Sequence, residues 1–253
     1  MKDFSDTLIC SDFDGTLFQN GQVSDVDAEA IRYFQERGGA FTLSTGRFPT
    51  VLQDKNVTNL SPNAPMICMN GALIYDLKNE KKIFEEIMSP DIAESILKIC
   101  ERFEDIDNIF TPTHDSLTQT NYCYPHETEK IKSVIDQGLY KIVFHVNSER
   151  CDEIFARILS LIPKKFAVSR SWRTGVEIQQ ATASKGSSAR KVADMLGRKT
   201  LICVGDYEND ISMIKEADIG YAVANACEPL KKAADRITKE SAGKAIAEII
   251  YSL

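Results

Sequence analysis

Three clusters of reactive side chains in this 253-residue chain each follow directly on a short apolar run. Asp12 and Asp14 follow Thr7-Leu8-Ile9-Cys10. Thr45, Gly46 and Arg47 follow the run from Ala40 to Ser44. Asp206, Asn209 and Asp210 follow Thr200-Leu201-Ile202-Cys203-Val204. A fourth group, Lys185, stands at the start of a helical stretch opened by Ser184. These residue types suit phosphoryl transfer. A carboxylate that attacks a phosphate ester meets charge repulsion, which a bound Mg²⁺ relieves while it orients both anions. Mg²⁺ takes oxygen ligands and keeps several waters, so one or two carboxylates, a backbone carbonyl and a phosphate oxygen suffice. On this reading Asp12 and Asp206 supply the carboxylates. Thr45 and the N–H of Gly46 hydrogen-bond the phosphate oxygens, and Lys185 balances the remaining charge. Asp14 protonates the leaving oxygen and then deprotonates the attacking water.

Each cluster also has a plainer explanation. Aspartates after strands are common turn residues, and Asn209 and Asp210 are good helix caps. Thr45-Gly46 taken alone is an ordinary strand-ending turn. Lys185 resists such an account, because a cation in the first turn opposes the helix dipole at about 0.3–1 kcal/mol, a cost that a bound anion relieves. Asp206 precedes the capping residues and has no capping role of its own. His114, His126 and His145 are scattered without metal-ligand spacing and read as ordinary histidines. Arg170, Trp172 and Arg173 read as solvated residues beside a packed tryptophan. Arg47, next to the phosphate-binding turn, is the better candidate for the substrate side.

The elements that must position these groups are legible from periodicity and punctuation. Thr7 to Cys10, Ala40 to Ser44, Met66 to Met69, Thr200 to Val204 and Ile219 to Val223 read as buried parallel strands, apolar on both faces. Ser24 caps a helix that stops at Gly38-Gly39, and Ser184 caps one that ends at Gly197. In open α/β sheets, ligands sit beyond the carboxyl ends of the strands, where such clusters would meet. Between the two parallel-strand segments the style changes. A hairpin is expected across Leu77 to Glu80, from Ala72 to Tyr75 and from Ile83 to Ile87. Ser89-Pro90 then opens a helix, and short strands and helices alternate to about Gln180, including Tyr140 to Val146 and a helix after Ser148. The expected organisation is an α/β protein. Residues 1–76 and 182–253 form a discontinuous Rossmann-like parallel-sheet core, and residues 77–181 form an inserted α+β cap domain.

Composition narrows the partners. Hydrophobic residues make up 43% of the chain and charged residues 26%, enough apolar mass for a core. A net charge of -7 argues against nucleic acid or an anionic membrane as partner. The seven cysteines include no C-x-x-C pair, which fits a reduced, cytoplasmic setting. No apolar run approaches the ~18 residues of a membrane helix. No signal peptide is read at the start. Neither G-x-G-x-x-G nor the P-loop pattern occurs, which sets aside a nucleotide-dependent oxidoreductase.

The motifs Asp12-Phe13-Asp14-Gly15-Thr16-Leu17, Ser44-Thr45-Gly46-Arg47, Asn70-Gly71-Ala72, Lys185-Gly186 and Gly205-Asp206-Tyr207-Glu208-Asn209-Asp210 together resemble the haloacid dehalogenase superfamily. Their order and spacing look like its Cof-type branch, which carries a large cap of the C2 type. The resemblance implies an Mg²⁺-dependent phosphatase with Asp12 as nucleophile, forming an aspartyl-phosphate, and Asp14 as acid and base. It implies Mg²⁺ bound by Asp12, the Asp14 backbone carbonyl and Asp206, with Asp210 supporting them. Thr45, Gly46, Lys185 and Asn209 would surround the phosphate of a small phosphorylated metabolite: a sugar phosphate, nucleotide or phosphorylated cofactor. A phosphosugar mutase using the same intermediate, and a non-catalytic phosphate-binding module, are the alternatives.

Overall fold

The computed structural model describes residues 2–53, 57–113, 120–147 and 149–253. The chain divides into two compact units, residues 1–84 with 184–253, and residues 85–183.

The first unit begins with β1 (Thr7–Ser11), in which Leu8, Ile9 and Cys10 are fully buried. A small hairpin follows, β2 (Phe18–Gln19) and β3 (Gln22–Val23), turned by Asn20 and Gly21 at positive φ. Helix α1 (Asp25–Gln35) starts at Ser24, whose Oγ accepts the Asp27 N–H at 3.1 Å. Strand β4 (Ala40–Leu43) returns beside β1. Strand β5 (Met66–Cys68) meets this sheet through one parallel bridge, Ser44 to Ile67, and then pairs antiparallel with β6 (Leu73–Asp76), which leads to β7 (Lys81–Glu85). The expected hairpin is present, and because β6 lies between β5 and β7, β7 as far as Phe84 falls with the first unit and not with the inserted segment expected from residue 77. The reason is packing: Ile67, Leu73 and Ile74 are fully buried together with their neighbours.

The second unit has its own sheet and core. Its elements are α2 (Ala93–Arg102), β8 (Ile106–Pro112), β9 (Thr120–Cys123), α3 (Thr128–Asp136), β10 (Lys141–Val146), α4 (Cys151–Leu161), β11 (Phe166–Trp172) and β12 (Gly175–Gln180). The strands are antiparallel in the order β11-β12-β10-β8-β9. Alternation sends Ile142, Phe144 and Val146 of β10 to the same buried cluster as Ile96, Ile99, Ile131, Ile135, Ile154 and Ile158 of the helices. Pro90 opens a single 3₁₀ turn before α2. Ser148 and His114 lie outside the described residues.

The chain returns to the first unit with α5 (Lys185–Met195), β13 (Thr200–Gly205), α6 (Ile211–Glu216), β14 (Ile219–Ala222), α7 (Glu228–Ala233), β15 (Arg236–Ile237) and α8 (Ala245–Ser252). The parallel sheet runs β15-β14-β13-β1-β4. The protein is α/β, as the sequence indicates. The two-residue edge strand β15 is too short to leave a periodic signal. Among the described residues, no helix is long and apolar enough to cross a membrane.

One buried group on α1 carries a measurable consequence. Asp27 is fully buried; its Oδ1 accepts the Ala247 N–H of α8 at 2.8 Å, and its Oδ2 has no partner. Burial pushes this carboxyl up to about 6, against the backbone hydrogen bond from Ala247, from an ordinary value of 3.8. An acid with a raised folded value costs stability as pH climbs from the unfolded value to the folded one, and the cost is constant above it. Asp27→Asn should therefore raise the thermal midpoint at pH 8 by several degrees, an upper limit of roughly 3 kcal/mol. The gain should shrink at pH 5. A gain independent of pH in thermal unfolding would disprove this account of Asp27.

Candidate active site

The parallel register sets the site. Thr7, Leu8, Ile9 and Cys10 of β1 lie opposite Thr200, Leu201, Ile202 and Cys203 of β13. The Asp12 N–H still reaches the Val204 carbonyl at 2.8 Å, so the aspartate just past β1 stands beside the end of β13. Asp206 follows β13 by one residue. Gly15, at φ 79°, turns the chain tightly enough that a Cβ there would lie 2.4 Å from Asp206 Oδ2. Thr16 completes the contact by donating its hydroxyl to Asp206 Oδ1 at 3.1 Å.

Helix α5 delivers the cation. A reciprocal cap between Ser184 and Ser187 fixes its start. Lys185, 1% exposed, then donates from Nζ to Asp12 Oδ1 at 2.5 Å and to Asp210 Oδ1 at 2.6 Å. Burial works against the ammonium, yet the Asp12 and Asp210 carboxylates outweigh it and hold its pKa above the ordinary value. Asp210 is fully used: its Oδ2 accepts the N–H groups of Asp206 and Tyr207 at 2.9 and 3.2 Å, which fixes the backbone that carries Asp206. Gly205 makes room, since a Cβ there would meet Asp210 at 2.5 Å.

Carboxylate oxygens of Asp12, Asp206 and Asp210 lie within 4.8 Å of one another. Three carboxylates face one ammonium. Burial, followed by the neighbouring Asp210 charge, holds Asp12 well above the carboxylate range and pushes Asp206 to about 6, with Lys185 opposing both. A surplus of negative charge on oxygen donors suits a hard divalent cation. Asp210 is committed to Lys185 and the backbone, so Asp12 and Asp206 are the carboxylates with oxygens to offer.

The remaining residues singled out in the sequence cluster around this centre. Thr45 is buried, and its Oγ1 accepts the Arg47 N–H at 3.2 Å; Gly46 follows, partly buried. Asn209 donates from Nδ2 to Asn70 Oδ1 at 3.3 Å, a link that no local sequence signal marks. Arg47 grips Asp14 with both ends of its guanidinium, Nε to Oδ2 at 2.8 Å and Nη2 to Oδ1 at 2.5 Å. The two residues are 33 positions apart, so sequence periodicity has no access to this pair. Arg170 instead pairs with Asp152 and lies over the Phe155 ring; Trp172 is 43% exposed, its ring lying against Gly175. His145 pairs with Asp107, and His126 stacks on Tyr124.

A family model for haloacid dehalogenase-like hydrolases matches residues 9–250. The candidate phosphatase YxeH of Bacillus subtilis strain 168 is 29% identical, covering 97% of both chains. YcsE of the same strain, a 5-amino-6-(5-phospho-D-ribitylamino)uracil phosphatase, is 26% identical over 98% of this chain and 96% of its own. Among solved structures, the subclass IIB sugar phosphatase BT4131 of the haloacid dehalogenase superfamily has the same fold. Its TM-score is 0.79 at 20% identity, with coverage of 97% of this chain and 98% of that one.

Replacing the buried lysine tests the charge balance directly. Lys185→Met leaves Asp12, Asp206 and Asp210 without their counter-ion, a loss of about 3–5 kcal/mol for a buried pair broken on one side. At pH 8 the thermal midpoint should drop by many degrees. Protonation of the raised carboxyls relieves the repulsion, so the deficit against wild type should narrow toward pH 5. A midpoint unchanged at pH 8 would show that the lysine is not needed to neutralise the carboxylates.

Proposed function

The chain belongs to the haloacid dehalogenase-like hydrolases, and on that footing we propose that it is a Mg²⁺-dependent phosphatase of small phosphorylated metabolites with Asp12 as nucleophile. The observation that carries this reading is Lys185 Nζ held between Asp12 and Asp210, with Asp206 beside them at the carboxyl end of the central sheet.

In this reading Asp12 and Asp206, with the backbone carbonyl of Asp14, would hold Mg²⁺. The ion supplies charge neutralisation between the attacking carboxylate and the phosphate. Asp12 attacks phosphorus in line. A bond forms from its carboxylate oxygen to phosphorus, the ester P–O bond breaks, and Asp14 gives its proton to the departing oxygen. Asp14 then takes a proton from water, the water oxygen bonds to phosphorus, and the acyl-phosphate bond breaks. Orthophosphate leaves and Asp12 is restored. Lys185 neutralises the phosphate charge, and Thr45 Oγ1, the Gly46 N–H and Asn209 hydrogen-bond the phosphate oxygens. Arg47 belongs to the substrate side: to free Asp14 for proton transfer, its guanidinium turns to the arriving phosphate ester. The inserted unit, residues 85–183, is assigned the role of a cap that selects the substrate. The relatives named 5-amino-6-(5-phospho-D-ribitylamino)uracil phosphatases favour a small metabolite that carries its phosphate on a polyol chain.

The test compares Asp12→Asn with Asp14→Asn on an aryl phosphate. Asp12→Asn should fall to background and form no covalent adduct. Asp14→Asn should still phosphorylate Asp12, because an aryl oxide needs little protonation to leave, and should then accumulate the adduct. General acid–base help is worth ~10²–10⁴ in rate. Intact-protein mass spectrometry after acid quench reads both variants. Chelation should abolish turnover and Mg²⁺ should restore it. Near wild-type turnover by Asp12→Asn would remove the nucleophile, and a requirement for a sugar bisphosphate activator would identify a mutase instead.

A further inference from the structure

Three successive residues after β5 have left-handed backbones: Met69 at φ 50°, Asn70 at φ 54° and Gly71 at φ 103°. Glycine takes this conformation freely and asparagine tolerates it, but a buried methionine has no local hydrogen bond to offset it. Such strain costs about 1–3 kcal/mol per residue and persists only where the surroundings over-determine it. Here they do. The Met69 N–H donates to the Arg47 carbonyl at 3.3 Å, and the Asn70 N–H donates to the Thr45 carbonyl at 3.0 Å. Ser188 Oγ donates to the Gly71 carbonyl at 2.7 Å. A Cβ at Gly71 would meet the Ser184 carbonyl at 2.2 Å, so this turn and the start of α5 are in backbone contact. The Asn70 side chain, 2% exposed, accepts from Asn209.

One strained turn thus touches the backbone of Thr45 and Arg47, the helix start that presents Lys185, and the side chain of Asn209. We infer that Asn70 is a positioning residue: its left-handed backbone and its Oδ1 together set Asn209 against the Thr45 loop. This rests on the reading of Thr45, Lys185 and Asn209 as the phosphate-binding groups. With Asn70 Oδ1 as acceptor, one Nδ2 hydrogen is committed and the plane of the amide is restrained, which orients the other donor.

Asn70→Gly separates side chain from backbone. Glycine adopts φ 54° without strain, so the turn and its backbone hydrogen bonds remain and the fold is preserved. The test is a double-mutant cycle of Asn70→Gly, Asn209→Ala and the pair, with aryl phosphate hydrolysis and thermal midpoints as two readouts. Each single variant should lose about tenfold in kcat/KM, and the pair should lose no more than Asn209→Ala alone. The midpoints should show the same non-additivity and need no substrate. Additivity in either measure, or an Asn70→Gly enzyme at the wild-type rate, overturns the inference. If the wild-type protein releases no phosphate, the proposed function fails, and the midpoints alone then decide whether Asn70 and Asn209 act as a unit.

Discussion

A fully buried ammonium between two buried carboxylates constrains everything else in the catalytic unit. Removing each ion from water costs several kcal/mol, and the cost is met only when the partners arrive in good geometry. Lys185 also sits in the first turn of α5, where the helix dipole opposes a cation. Its position is tenable because Asp12 comes to it from the end of β1 and Asp210 from the 3₁₀ turn after β13. The close approaches follow from that demand. Gly186 lets α5 lie against α6, since a Cβ there would be 2.2 Å from the Ser212 carbonyl, and Gly205 lets Asp210 fold back over the end of β13. Side chains at these places would separate the charges, and separated buried charges are worse than none.

The strands themselves explain why the carboxylates coincide. β1 and β13 carry the same four residues, Thr-Leu-Ile-Cys, and pair in register, each residue beside its counterpart. Their cysteines are fully buried, and Cys203 is pushed well up by burial and by its neighbour Cys10, so it packs as a small apolar group. Beyond the shared tetrapeptide the chains diverge. Ser11 leads to Asp12, while Val204 and Gly205 lead to Asp206, one residue later. That extra residue offsets the second carboxylate from the first, so that both face one point instead of lying directly opposite each other on the sheet.

Much of this is readable without coordinates, because it depends on local rules. Apolar runs ending in acids give the strand ends, and Ser184 before Lys185 gives the helix start. The resemblance to the haloacid dehalogenase superfamily implies that they form one site, and the family model over residues 9–250 bears out the family. What was not readable depends on which distant segment lies alongside. The second strand of the hairpin, β7, falls in the inserted segment expected from residue 77. Its place beside β6, which pairs with β5 through Ile67 and Ile74 and through Cys68 and Leu73, carries it into the first unit as far as Phe84. Asn70 lies in the turn after β5. Its link to Asn209 crosses 139 positions and has no period to betray it.

The two cations near the site differ in the property that matters for turnover, the cost of letting go. Lys185 is buried with its partners, and breaking such a pair from one side costs about 3–5 kcal/mol, so it is a fixture. Arg47 and Asp14 have side chains 47% and 49% exposed, and a pair this wet is worth about 1 kcal/mol or less. The Arg47 guanidinium also stands 5.5 and 5.8 Å from the stacked rings of Phe13 and Phe18, a contact that does not require Asp14. A phosphate dianion presents more charge than one carboxylate and the same bidentate geometry, so it competes well for the guanidinium. The arrangement therefore pairs a cation that cannot leave with one that exchanges readily. The exchange uncovers the aspartate whose proton transfers the proposed reaction requires.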